Sequence, residues 1–138
     1  MTTGPPVYLD TSAVLRSWLE TGTSPDIEAR VLAAPALVTS RLALVESARV
    51  IHRVRSLGTI PEQKLADAER GIDDVWIRCD VWELTREVCD LARTVSPTRP
   101  LRALDALHLA TFVIARRKIE GLVMLTTDAR LADAAGAV

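Results

Sequence analysis

The chain has 138 residues, 49% of them hydrophobic and 25% charged, with a formal net charge of −1. That balance suits one folded domain around one sizeable core, and it excludes a disordered, low-complexity or strongly basic chain. No apolar run approaches the ~20 residues a membrane span needs, and Met1-Thr2-Thr3-Gly4 lacks the basic flank and apolar stretch of a secretory signal. The cytoplasm is therefore the expected compartment. All but two of the 17 cations, Lys64 and Lys118, are arginine. Arginine suits bidentate phosphate contacts, although a biased genome gives the same excess. Cys79 and Cys89 have no metal-type spacing and read as small core residues, and His52 and His108 form no recognisable ligand motif.

Taken in order, residues 1–5 are expected to fray, and Val7 to Leu9 reads as a buried strand running into Asp10. Thr11 or Ser12 is placed to cap a helix from Ser12 to Thr21, with Val14, Leu15, Trp18 and Leu19 as its apolar stripe. Gly22-Thr23-Ser24-Pro25 breaks it, and a second helix spans Asp26 to Ala33 with Ile27, Val31 and Leu32 facing in. A strand over Ala36 to Thr39 leads to Ser40, the expected cap of a long helix from Arg41 to Leu57. Its inward stripe is Leu44, Ala48 and Ile51, and Gly58 stops it. Pro61 opens a charge-rich helix to Ile72. Val75 to Val81 reads as a third strand, and Glu83 to Val95 as a helix with Leu84, Val88, Leu91 and Ala92 inward. Ser96 to Pro100 is a loop, Arg102 to Lys118 a helix, Leu122 to Thr126 a continuous apolar strand, and Thr127-Asp128 the start of a last helix ending near Ala135. Strands separated by helices require crossover connections. The fold class is α/β: a mostly parallel sheet of four or five strands with helices on both faces, in one domain over residues 1–138.

Four carboxylates stand out. Asp10 and Asp128 both follow apolar strands, so a parallel sheet puts them along the same edge, where open α/β sheets bind ligands. Glu46 has Leu42, Ala43 and Val50 as helical neighbours, with Arg49 and Arg53 near enough for an ordinary salt bridge. Asp105 lies near a helix start in the apolar run Leu104-Asp105-Ala106-Leu107-His108-Leu109-Ala110. A helix N-terminus favours a negative charge there, and an ion pair with Arg102 is available. Each acid alone reads first as structural: a cap, a dipole partner or half of an ion pair. Four on one sheet edge would repel one another. Mg²⁺ or Mn²⁺ would relieve that repulsion, since these hard cations take oxygen ligands and lower the pKa of a bound water. The absence of Cys or His clusters argues against zinc.

Val7-Tyr8-Leu9-Asp10-Thr11-Ser12-Ala13, the segment from Ser40 to Glu46, Leu104 to Ala110, and Leu125-Thr126-Thr127-Asp128-Ala129-Arg130-Leu131 together resemble the successive motifs of PIN domains. In order, spacing and length they resemble the VapC toxins of VapBC toxin–antitoxin pairs, over nearly the whole chain. The resemblance implies a three-layer PIN-like sandwich and a Mg²⁺- or Mn²⁺-dependent endoribonuclease, usually held inactive by a VapB-like antitoxin and commonly a homodimer. It gives Asp10 and Asp105 the metal-binding role. Glu46 and Asp128 match the other two acids of the quartet, supporting metal or water, and Thr11, Ser12 and Thr127 match polar positions beside them. Arg99 and Arg102 are candidates for RNA phosphate contact, with ordinary loop solvation as the other reading. Many relatives carry a further short strand after the last helix, so the edge strand here is open.

Trp18, Leu19 and the helix from Pro25 to Ala33 form an apolar region that is either core or a groove for an antitoxin helix. Two other classes compete. Phosphoryl-accepting receivers need an acidic pair near the first strand and a late lysine, and dehalogenase-like phosphatases need a second aspartate where Ser12 stands. A non-catalytic PIN-like module with a degenerate acidic site is the stronger rival, and metal binding separates it from a nuclease.

Overall fold

The computed structural model describes residues 4–19 and 25–138. In these, β1 (Val7–Leu9) leads through α1 (Thr11–Leu19) and α2 (Pro25–Ala33) to β2 (Leu37–Ser40). Then come α3 (Arg41–Leu57), α4 (Glu62–Ile77), β3 (Asp80–Trp82), α5 (Arg86–Ala92), α6 (Ala103–Arg116), β4 (Val123–Leu125) and α7 (Ala129–Ala137). The expected end of the first helix at Thr21 and the break at Gly22 lie outside the described residues. The strands form one sheet in the order β3-β2-β1-β4, parallel at every pairing. The chain adds strands on one side of β1 and then returns to the other, so the order reverses between β1 and β4. A crevice opens at such a reversal, beyond the carboxyl ends of the strands.

Alternation along β1 divides the core. Val7 and Leu9 face a cluster completed by Ala13 and Val14 of α1, Ile27 of α2, Ala43 and Ile51 of α3, and Leu65, Ile72 and Trp76 of α4. Tyr8 faces the opposite cluster, with Leu109, Phe112 and Ala115 of α6 and Leu131 and Ala134 of α7. Val88 of α5 packs on Ala110 and Ile114 at the far side of α6. The expected three-layer α/β sandwich is present. Among the described residues the sheet has four strands, with β4 at one edge and no further strand after α7.

The long third helix has the expected bounds and caps. The Ser40 hydroxyl accepts from the Leu42 N–H, and Gly58 takes a left-handed φ of 67° while its N–H returns to Val54 and Arg55. Its buried residues are Leu42, Ala43, Ser47 and Ile51; of the expected stripe Ile51 is inside, Leu44 packs part-buried against the core and Ala48 is exposed. The largest correction concerns Val75 to Val81. The helix after Pro61 does not stop at Ile72 but continues to Ile77, because Val75 and Trp76 prolong the stripe of Leu65, Ala68 and Ile72. Trp76 is buried and donates its indole N–H to the Ser47 hydroxyl at 3.0 Å. The third strand is therefore only Asp80 to Trp82. The helix expected from Glu83 to Val95 shortens to α5, capped by Thr85, whose hydroxyl accepts from the Val88 N–H, and Leu84 is left outside it and exposed. Cys79 is half-buried, with its thiol pushed up to about 12 by burial, while Cys89 is exposed and not a core residue. Leu32, expected to face in, is 72% exposed.

Candidate active site

Asp10 follows the last residue of β1 and is buried. Its N–H bonds the Leu125 carbonyl of β4 at 3.1 Å, which ties it to the crevice. α1 begins at Thr11, so the two hydroxyls after Asp10 do not cap it as expected. They serve carboxylates instead. Ser12 donates to Asp10 Oδ2 at 2.7 Å, and Thr126 donates to the same oxygen at 2.7 Å. The Thr127 N–H donates to Ser12 Oγ at 3.1 Å, so Thr127 enters through its backbone while Thr126 supplies a hydroxyl. In the sequence Thr126 reads only as the end of a strand, which hides this role.

Glu46 makes no salt bridge with Arg49 or Arg53 among the described residues. Its Oε1 accepts from Thr11 Oγ1 at 2.7 Å and meets His108 Nε2 at 2.6 Å. Burial alone would push this carboxyl up, but the His108 and Thr11 hydrogen bonds outweigh it and hold Glu46 below the usual carboxylate range. His108 is fully inside the protein, 3.6 Å through Nε2 from Asp10 Oδ1, and its Nδ1 lies 2.8 Å from the Tyr8 hydroxyl. No motif announces it. The available signal is a lone imidazole in an apolar run three residues after Asp105, on the same helical face.

Asp105 stands in the first turn of α6, half-buried. Its carboxyl is raised above the usual range by burial first and then by the charges of Asp128, Asp10 and Glu46, with His108 opposing in part. It makes no ion pair with Arg102 among the described residues. Asp128 caps α7, its Oδ1 accepting from the N–H groups of Arg130 and Leu131. Asp105 and Asp128 line a cavity of about 550 Å³ with Pro100, Leu101, Arg102 and Arg130. Arg99 lies in an adjoining hollow that shares Pro100 and Arg130. Arg130 does not stand out in the sequence, where it is one more arginine on a short helix.

The model of the PIN domain matches residues 7–137 of the chain. This chain belongs to the PIN-domain family. It is VapC-like: it is 34% identical over 136 residues to ribonuclease VapC45 and to ribonuclease VapC49, each from Mycobacterium tuberculosis, and the alignments span 96% of this chain and 92% of each relative. In fold it resembles FitAcB from Neisseria gonorrhoeae, with a TM-score of 0.67 at 18% identity, over 94% of this chain and 93% of that one.

The carboxylates of this PIN domain offer hard oxygen donors, the ligand type a divalent cation such as Mg²⁺ takes. Asp10 Oδ2 is taken by two hydroxyls, Glu46 Oε1 by Thr11 and His108, and Asp128 Oδ1 by two backbone N–H groups. In each carboxylate one oxygen is fixed by the protein and the other carries no described hydrogen bond. Among the described residues no group of three or more His, Cys, Asp or Glu is gathered closely enough to hold a metal ion. Both imidazole nitrogens of His108 are engaged by protein, so a zinc-type nitrogen ligand is not on offer. No helix among the described residues is long and apolar enough to cross a membrane.

Proposed function

We propose that this PIN domain, acting as one unit over residues 1–138, is a divalent-metal-dependent endoribonuclease and the toxin of a type II toxin–antitoxin pair. The observation that carries the reading is geometric: Asp105 and Asp128 line one cavity, and Asp10 is tied to β4 at the strand-order reversal, with the Asp105 carboxyl raised by burial and by the charges of Asp128, Asp10 and Glu46. The kinship with VapC ribonucleases supports the substrate class. Asp10 and Asp105 would hold Mg²⁺ or Mn²⁺, with Glu46 and Asp128 beside them. When bound, the ion would lower the pKa of a water and offset charge on the phosphate.

The protein's own groups do the rest. Ser12 and Thr126 keep Asp10 from rotating. Glu46 Oε2 and Asp128 Oδ2 orient the attacking water and the carboxylates accept its proton as the new P–O bond forms, while the P–O bond to the leaving ribose oxygen breaks and that oxygen takes up a proton from solvent. Arg102 and Arg130, which line the cavity with Asp105 and Asp128, meet phosphates flanking the scissile one, with Arg99 in the adjoining hollow. Replacing both Arg102 and Arg130 by alanine should raise KM for RNA more than it lowers kcat. The salt dependence of binding, as slope of log K on log salt, should become shallower by about 0.7 for each phosphate that is no longer neutralised. Unchanged slope in a filter-binding titration would remove these arginines from the RNA path.

The same reading includes a VapB-like antitoxin, a homodimer and a cytoplasmic site of action, where RNA is the substrate. A groove of about 440 Å³ between α1, α2 and α4 has Trp18, Ile27, Val31, Leu32 and Val75 in its lining, and Trp18 and Leu32 are exposed. It suits an apolar helix of that antitoxin. The rival, a non-catalytic module, differs in one measurable respect. Purified protein should cleave a structured RNA pool with Mn²⁺ or Mg²⁺ and not with EDTA, and should bind Mn²⁺ in calorimetry. Absence of Mn²⁺ binding would favour the module.

A further inference from the structure

We infer that His108 is a positioning residue for Glu46, and that the buried hydroxyl of Tyr8 sets the imidazole tautomer that makes it one. The inference rests on the nuclease reading for its consequence in catalysis, but not for its geometry.

Tyr8 and His108 are both buried, at 0% and 1% exposed. Tyr8 comes from β1 and His108 from α6, and the Tyr8 ring packs edge-on against Phe112 at 5.9 Å and against the imidazole at 6.0 Å. Phenylalanine would fill that space equally well. The hydroxyl therefore has to be explained by its partners: it lies 2.8 Å from His108 Nδ1, with the Thr111 and Ser40 hydroxyls also beside it. On the other side of the ring, Nε2 has three oxygen neighbours at graded distances: Glu46 Oε1 at 2.6 Å, Thr11 Oγ1 at 3.4 Å and Asp10 Oδ1 at 3.6 Å. A carboxylate only accepts, so at 2.6 Å the hydrogen must sit on Nε2. In the neutral ring Nδ1 then carries the lone pair and the Tyr8 O–H donates to it; an imidazolium would donate from both nitrogens, and finding it in the nitrogen-15 spectra would overturn the inference. The opposite tautomer would set a lone pair against Glu46 Oε1 at 2.6 Å.

Glu46 needs this support. It sits on α3, its side chain is 24% exposed, and its chain of rotatable bonds would let the carboxylate swing outward. Two donors, Thr11 O–H and His108 Nε2–H, converge on Oε1. They fix the carboxylate plane and leave Oε2 as the working oxygen. His108 follows Asp105 by three residues, so one face of α6 presents an acid and also the group that orders its neighbour. Partners of this kind, which orient groups around a reacting centre, typically change activity about ten- to a hundredfold when removed.

The test uses Tyr8→Phe, which keeps the ring, with His108→Gln and His108→Leu beside it. Nitrogen-15 spectra of the His108 ring should report the Nε2–H tautomer in the parent protein and a shifted or mixed state in Tyr8→Phe. The Glu46 carboxyl carbon should move with it. With RNA and Mn²⁺, Tyr8→Phe should lose about tenfold in kcat with KM little changed. His108→Gln, whose amide can donate to Glu46 and accept from Tyr8, should retain more kcat than His108→Leu at matched folded fraction. A Tyr8→Phe protein with parental tautomer and parental kcat would overturn the inference. So would a folded His108→Leu protein with parental kcat, or losses that track melting temperature alone. If the parent protein cleaves no RNA, the nuclease reading fails, while the tautomer and the Glu46 carbon shift still decide the positioning.

Discussion

Replacing Asp105 by asparagine is expected to stop RNA cleavage and, without metal, to raise the melting temperature of the same protein. The two effects share one cause. Asp105 is half-buried and its carboxyl lies above the usual range, pushed by burial first and then by Asp128, Asp10 and Glu46. A carboxyl whose pKa is higher folded than unfolded is ionised at a cost to the folded state. That cost is full above the folded value, fades as pH falls through it, and is gone below the unfolded value of about 3.9. Asparagine is neutral at every pH, so its gain in melting temperature should be greatest near pH 7 and vanish towards pH 4. Mn²⁺ should raise the parent's melting temperature by binding the native state, and raise the variant's much less. Loss of one group that stabilises the transition state should lower cleavage at least about a thousandfold. Thermal melts from pH 4 to 8, with and without Mn²⁺, read the first two outcomes and a cleavage assay the third. A variant less stable than the parent at pH 7 would mean that Asp105 is held by a favourable partner, and the metal assignment would fail with it.

Replacing Trp76 by alanine should cost about 3–5 kcal/mol, the range for emptying a large aromatic site. For a chain of this size that is a fall of about 10–20 °C in melting temperature. Trp76 fills the cluster between α4 and the sheet and donates to Ser47, the residue after Glu46. Its loss opens a cavity and releases α3 at the turn that carries the acid. Trp76→Phe keeps most of the burial and removes the N–H, so a smaller loss is expected. Its neighbour Ile77, 80% exposed, is the control: Ile77→Ala should stay within about 0.5 kcal/mol. Urea unfolding of the three variants gives the comparison. Equal losses at Trp76 and Ile77 would mean that α4 does not continue beyond Ile72 as described.

The same segment shows where sequence reading loses its hold. Val75, Trp76 and Ile77 are all residues that favour strands, and read locally they make one. The longer register of Leu65, Ala68, Ile72 and Trp76 decides otherwise, because burial of a helical stripe outweighs local propensity. On α3, Leu44-Ala48-Ile51 and Ala43-Ser47-Ile51 both have helical spacing, and only the position of the sheet selects the second. The strands ahead of Asp10 and Asp128 are legible as short continuous apolar runs, the first ending directly in Asp10 and the second three residues before Asp128. Ser40 and Gly58 are legible because each has a local chemical reason to sit at a helix end. His108 is not, since its partners Tyr8 and Glu46 lie 100 and 62 residues away, and no spacing rule links them.

The pairing of β1 with β4 has a consequence for the order of synthesis. Asp10 and Thr126, joined by one hydrogen bond, are 116 positions apart. The carboxylate that opens the chain's chemistry is therefore made early and has only the Ser12 hydroxyl until β4 has been added and docked beside β1. Contacts so distant in sequence form late in folding. A growing chain that has not reached Val123 lacks one wall of the crevice and the last acid with it.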